Sequence, residues 1–118
     1  ILGYKRDLAA GPFVMVGAGG VLAELYDDTS VRVAPVSPDV AREMIEEVVG
    51  LAPIRGYRGL PLGDLASLTE AIVALSTLAG DERIAEAEIN PLVVGDVGEG
   101  VVAADALIIF DTSGARED

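Results

Sequence analysis

The sequence predicts an α+β domain, a largely antiparallel or mixed sheet with two helices on one side. Three observations carry that prediction. The β-rich apolar runs gather at the two ends of the chain, in residues 1–34 and 84–110, and are punctuated by glycine-bearing turns. Two stretches of helical periodicity lie together between them, in residues 37–49 and 64–80. Strand and helix do not alternate as they would in a doubly wound fold.

Bulk composition narrows the function classes. The chain has 118 residues, enough for one domain, and is 51% hydrophobic with only 4% aromatic, so aliphatic side chains must build the core. No apolar run reaches the length that crosses a bilayer, and the first residues show no basic segment leading into an apolar one with a cleavage site. Cysteine is absent, which removes disulfides and thiolate metal sites and makes the cytoplasm the default compartment. A formal charge of −12 repels phosphate backbones and argues against nucleic acid. The absence of histidine removes the usual neutral-pH base and any phosphohistidine carried by these residues.

Taken in order, Ile1–Asp7 opens abruptly inside what reads as a strand in the middle of a sheet. Phe13–Val16 is a second strand, followed by Gly17-Ala18-Gly19-Gly20, and Val21–Tyr26 a third. A three-residue turn would set Ser30–Ala34 against that third strand, with Glu24 opposite Arg32. That pair reads either as an ordinary cross-strand ion pair or as two groups bordering a ligand. Ser37 and Pro38 signal the start of the first helix, whose stripe is Val40, Ala41, Met44, Ile45 and Val48, with Gly50 as its stop. Asp64 caps the second helix, with Leu65, Leu68, Ile72, Leu75 and Leu78 inward and Gly80 at the exit. The intervening Arg55-Gly56-Tyr57-Arg58-Gly59 either meets an anion or closes onto local carboxylates.

The most informative stretch is Glu86-Ala87-Glu88-Ile89-Asn90-Pro91, followed by a glycine-bearing turn and Val101–Asp105. On a strand, Glu86, Glu88 and Asn90 share one face. If opposed residue numbers in the hairpin sum to 195, Asn90 faces Asp105; if they sum to 196, Asp105 turns to the other side. The first register gathers carboxylate, amide and carboxylate oxygens, a hard donor set suited to Mg²⁺ completed by water and substrate phosphates. The alternative is a solvated acidic face. Gly17-Ala18-Gly19-Gly20 is no dinucleotide fingerprint, because an apolar strand rather than a helix follows it.

In combination these residues resemble a known family. Gly11-Pro12-Phe13-Val14-Met15-Val16-Gly17-Ala18-Gly19-Gly20-Val21, then Glu24, Asp28, Arg32 and Ala34-Pro35, then Arg55–Gly59, then Glu86–Leu92 with Asp105 resemble the ATP-grasp domain of NDP-forming acyl-CoA synthetases. These include the ADP-forming acetate–CoA ligases, with succinyl-CoA synthetase β subunits as relatives. The resemblance implies a partial ATP-grasp domain, its C-terminal lobe, over residues 1–110 and a frayed polar tail over 111–118. It implies Mg²⁺ at Glu88, Asn90 and Asp105, and ATP or ADP against Gly19, Gly20, Glu24 and Arg32. Arg32 also takes a catalytic part through phosphate handling. Asp27 and Ala18 depart from the lysine and leucine common in the family, outside the proposed metal set.

The implied activity is acid–thiol ligation, making acyl-CoA from a carboxylic acid, CoA and ATP through acyl phosphate and phosphohistidine, with these residues inactive alone. The implied partners are the N-terminal ATP-grasp lobe and the CoA-binding domains or subunit. Self-association through an exposed sheet edge is a further expectation. Two other readings stay open: a non-catalytic binding or assembly module that keeps the fold, and the nucleotide-sensing part of a fused acetyltransferase.

Overall fold

The structure, a computed structural model, describes residues 1–19 and 27–111. Its elements are β1 (Leu2–Asp7), β2 (Gly11–Gly17), β3 (Thr29–Val33), α1 (Pro38–Glu47), α2 (Leu65–Ser76), β4 (Ile84–Ile89), β5 (Leu92–Val94), β6 (Val101–Ala103) and β7 (Ala106–Phe110). Five strands form one sheet in the order β3-β2-β1-β4-β7, and β5 and β6 form a second, two-stranded sheet. Every paired strand is antiparallel. This is the expected α+β architecture, with β1 at its centre.

Both helices cover one face of the large sheet, because alternation sends Leu2, Tyr4, Val14 and Val16 to that side. Ala41, Met44 and Ile45 of α1 and Leu68, Ile72 and Leu75 of α2 close over them and are buried. Both expected caps form: Ser37 Oγ accepts from Val40 N–H at 3.2 Å, and Asp64 Oδ1 accepts from Ser67 N–H at 3.0 Å. The buried Ser76 hydroxyl accepts from Val36 N–H at 3.0 Å and donates to Val73 O, tying the chain entering α1 to the last turn of α2.

Asp64 does more than cap. Its Oδ2 accepts from Gly100 N–H at 2.8 Å, fastening the turn between β5 and β6 to the start of α2. Hydrogen bonds from Ser67 and Gly100 hold its carboxyl below the ordinary value of 3.8. A depressed carboxyl stabilises the fold above its unfolded pKa, and the contribution disappears as pH falls through the lower folded value. Asp64→Asn is therefore expected to lower the melting temperature at pH 7, with the gap to wild type closing on acidification below pH 3.8. A gap that stayed constant into acid would contradict this role.

Several local expectations need correction or restriction. The strand expected over residues 21–26, with Gly20 and Glu24, lies outside the described residues. Within them, β3 pairs with β2, and Arg32 stands opposite Val14. The single C-terminal hairpin divides at Asn90-Pro91, a cis peptide bond, into β4–β7 and β5–β6. Proline contributes no ladder donor there. Both halves nevertheless keep one register: Glu88 opposes Leu107 and Val93 opposes Val102, each pair summing to 195.

Gly50 does not end α1, which stops at Glu47 with Val48 in extended conformation. A 3-10 turn, Val49–Arg55, begins there because the Asp28 carboxylate accepts from Val49 N–H at 2.8 Å and Gly50 N–H at 2.7 Å. The loop carrying both arginines is likewise largely 3-10, continuing through Tyr57–Gly59. The tail beyond residue 111 lies outside the described residues.

Candidate functional site

The site follows from the face of the large sheet that the helices leave open. Strand pairing arranges that face in rows. Met15, Gly3, Glu88 and Leu107 form one row across β2, β1, β4 and β7, and Val31 extends it on β3. One row further along lie Val33, Phe13, Lys5, Glu86 and Ile109.

At the other end, Gly17 and Ile1 exchange backbone hydrogen bonds of 2.9 and 3.0 Å, and Asn90 N–H donates to Asp105 O at 3.0 Å. Gly17, Ile1, Asn90 and Asp105 thus continue the ladders into a row beside Glu88. The register contemplated for the acidic hairpin is the one that faces Asn90 with Asp105, and strand alternation puts both on the face of Glu88.

The rows also locate the glycines. Gly17 ends β2 at the Asn90–Asp105 end of the sheet, and Gly19 follows with φ of +85°. A Cβ at Gly17 would lie 3.1 Å from Thr29 Cγ2 and 3.2 Å from Ile1 Cγ2, so the Thr29 and Ile1 side chains pack closely on this glycine. Gly20 and Glu24 fall outside the described residues.

A groove of about 390 Å³ crosses the open face, with Gly3, Phe13, Met15 and Val31 on its floor and Lys5, Glu86 and Glu88 along its polar side. Glu88, Asn90 and Asp105 are all exposed. Among the described residues no three acidic side chains are clustered closely enough to hold a metal by themselves. Two carboxylates and one amide match a hard cation that keeps waters and shares phosphate oxygens more than one caged by protein.

Arg32 is not brought to this face. It stands on β3 with Ser30, toward the helices, where its guanidinium pairs with Glu47 of α1 and donates to Ser30 Oγ at 3.2 Å and Val31 O at 3.0 Å. The hydrogen bond from Arg32 holds the Glu47 carboxyl below its ordinary value, helped by Ser30. The Arg32 guanidinium thus stands in a strand–helix ion pair on the opposite face from Glu88, apart from the other residues expected at the site. Arg32→Ala is expected to leave Mg²⁺-nucleotide affinity within about twofold, as for distant sites without shared partners. A large loss on titration, with the fold intact, would return Arg32 to the site.

The loop arginines also serve structure. Arg55 donates to Ile45 O at 2.9 Å and Val48 O at 2.8 Å, closing onto backbone carbonyls at the C-terminal end of α1, neither of the two partners, an anion or local carboxylates, that the sequence left open. Arg58 lies over the Tyr57 ring, 5.3 Å from its centroid. Sequence reasoning missed two features of the site region. One is the Asp28 clasp on Gly50, which sets Gly50 against Ala18 beside the glycine stretch. The other is Lys5, whose Nζ lies 3.6 Å from Glu86 Oε1 on the open face.

Comparison with known proteins identifies relatives of this fold. A family model described as an ATP-grasp domain matches residues 1–110. An ADP-forming acetate–CoA ligase from Archaeoglobus fulgidus is 37% identical over 103 residues, covering 86% of this chain and 15% of that protein. The β subunit of an ADP-forming acetate–CoA ligase from Pyrococcus furiosus is 33% identical over 112 residues, covering 93% of this chain and 48% of the subunit. The structure superposes on an acetyl-coenzyme A synthetase from Ca. Korarchaeum cryptofilum, in complex with coenzyme A and Mg-AMPPCP, with a TM-score of 0.84. That match has 37% identity and covers 93% of this chain and 51% of the other. The chain therefore spans about half of the matched β subunit and a much smaller part of the longer ligase. Among the described residues, no helix is long and apolar enough to cross a membrane.

Proposed function

The chain belongs to the ATP-grasp domain family, and from that premise we propose that it is the Mg²⁺-nucleotide lobe of a cytoplasmic ADP-forming acyl-CoA ligase. The observation that carries the reading is the coincidence of three things at one end of one sheet face: the Asn90–Asp105 pairing, Glu88 one row away, and the glycine-rich exit from β2. Glu88, Asn90 and Asp105 would hold the magnesium ion. When bound, that ion offsets negative charge on the phosphates during phosphoryl transfer.

The chain's own part is to bind and orient. Gly19, where a Cβ would meet no side chain within 4 Å, lets a nucleotide approach the backbone closely. Gly20 and Glu24 complete the nucleotide-contacting set in this reading. The apolar floor of Phe13, Met15 and Val31 keeps one side of the groove free of competing polar groups.

Since the chain has no histidine, a phosphohistidine must come from another domain or subunit, along with CoA and carboxylic acid sites. The complementary ATP-grasp lobe would cover the open face, whose Val31, Val33, Leu107 and Ile109 are 42–66% exposed. β7 is an edge strand exposed along all five residues, so it can also pair with a partner or a second copy.

The test joins this chain to a complementary lobe and CoA-binding partner from the same ligase, then measures Mg²⁺-dependent ATP binding and acyl-CoA formation. The reading expects both, with neither activity from the partner alone. A folded assembly that binds no nucleotide would contradict it.

A further inference from the structure

A carboxylate outside the proposed metal set is tied into the same end of the sheet. Asp28 directly precedes β3, beside the Gly17–Thr29 pair that ends the β2–β3 ladder. Its backbone carbonyl would lie 3.5 Å from a Cβ at Gly17. Its half-buried side chain spans to the start of the 3-10 turn, where one oxygen accepts from Val49 N–H at 2.8 Å and the other from Gly50 N–H at 2.7 Å. Both oxygens are thus engaged by backbone, and the carboxylate acts as a strut.

The turn it holds borders both legs of the site. Gly50 lies so close to the glycine stretch that an added Cβ would stand 2.6 Å from Ala18 Cβ. Leu51, the next residue, lines a small cavity of about 50 Å³ together with Gly17 and Ala18 at the exit from β2 and Leu92 and Val94 on β5, just past Asn90-Pro91. The far end of the turn is fixed separately, by Arg55 on the carbonyls of Ile45 and Val48. Close-packed groups pass a displacement on to their neighbours. The Asp28 end therefore sets how the turn bears on Gly17 and Ala18 on one side and on the base of β5 on the other.

We propose that Asp28 is a positioning residue for nucleotide binding. Acting through the Val49–Arg55 turn, it fixes the backbone of Gly17, Ala18 and Gly19 relative to Asn90 and Asp105. This inference rests on the proposed nucleotide site and adds a support outside its donor set. Asp28 itself touches neither metal nor phosphate.

The experiment uses the complete ATP-grasp assembly and compares wild type with Asp28→Ala, Asp28→Asn and Ser37→Ala. Asparagine keeps one acceptor oxygen. Ser37→Ala removes the cap at the opposite end of α1, where the hydroxyl accepts from Val40 N–H, and so lowers stability without touching the turn. Melting temperatures are recorded first. Backbone amide shifts of Ala18 and Gly19 without nucleotide, and dissociation constants for the Mg²⁺ complexes of ATP and tripolyphosphate, are then measured well below the lowest melting temperature.

Asp28→Ala is expected to weaken ATP and tripolyphosphate alike, each about tenfold, the scale on which packed networks remote from a ligand alter its affinity. The Ala18 and Gly19 amides should shift before any nucleotide is added, and Asp28→Asn should recover part of both changes. Ser37→Ala should lower the melting temperature while both affinities stay within about twofold of wild type. A lower melting temperature for Asp28→Ala with unchanged affinities would overturn the inference, reduce Asp28 to a structural cap and leave the nucleotide reading standing. A loss confined to ATP would also overturn it, because the effect would then lie away from the phosphates. If Asp28→Ala does not fold, Asp28→Asn decides by the same criteria. A wild-type assembly that binds neither compound would remove both readings.

Discussion

Asp105→Ala, introduced into the complete ATP-grasp assembly, is expected to weaken Mg²⁺-dependent nucleotide binding about 100-fold, the scale of removing one anionic ligand from a site that needs its charge. Asn90→Ala should cost about tenfold, since it removes a neutral oxygen. Asp105→Asn should fall between them by keeping an oxygen without the charge. The argument rests on register. Asn90 N–H reaches Asp105 O at 3.0 Å, and β4–β7 and β5–β6 share one alignment on either side of that point. A one-residue slip would send Asp105 to the helix-covered face. Calorimetric titration with and without Mg²⁺ checks the prediction. Equal affinities for wild type and both alanine variants would remove these residues from the metal set.

The second large effect is structural. A Cβ on Gly50 would lie 2.6 Å from Ala18 Cβ and 2.9 Å from Asp28 Oδ2. Carbons normally sit about 3.5–4.0 Å apart, so something must move. The nearest groups are the glycine stretch at the end of β2 and the carboxylate that caps the 3-10 turn. Overpacking of this kind costs about 1–3 kcal/mol, and Gly50→Ala is expected near the top of that range because it also displaces the cap. Gly80 provides the control. Its Cβ position is open and its φ is not in the left-handed region, so Gly80→Ala should be neutral or stabilise by about 0.4–1 kcal/mol. Urea unfolding separates the two signs, and similar midpoints for both variants would contradict the packing argument.

Gly50 also shows where sequence reading stops. A glycine two residues beyond a helical stripe reads as a helix stop, and that reading is local. The real constraint comes from Asp28, 22 residues earlier in the chain, and from the approach of Ala18. Neither leaves a trace in periodicity. Lys5 is the same case at longer range. Its neighbour Glu86 belongs to β4, and the β1–β4 pairing exists only once both helices have been threaded between them.

Local chemistry was easier to read. Ser37-Pro38 and Asp64 announced both helix starts, and the caps form as expected. Alternation in Glu86–Asn90 identified the polar face, and arithmetic on the hairpin reduced the position of Asp105 to two choices, one of which the ladder adopts. Arginine roles were harder, because a guanidinium suits phosphate, carboxylate and carbonyl alike. Arg32 took Glu47, and Arg55 took the end of α1. In each case the partner on a folded neighbour decided the outcome.

The most direct measurement is paramagnetic. Mn²⁺, which shares the oxygen preference of magnesium, is titrated with nucleotide into the isotopically labelled ATP-grasp assembly while amide line broadening is followed residue by residue. The account predicts the earliest and strongest broadening at Glu88, Asn90 and Asp105, with the Arg32–Glu47 side of the sheet spared. Broadening centred on the helix-covered face, or spread evenly over the acidic surface, would contradict it.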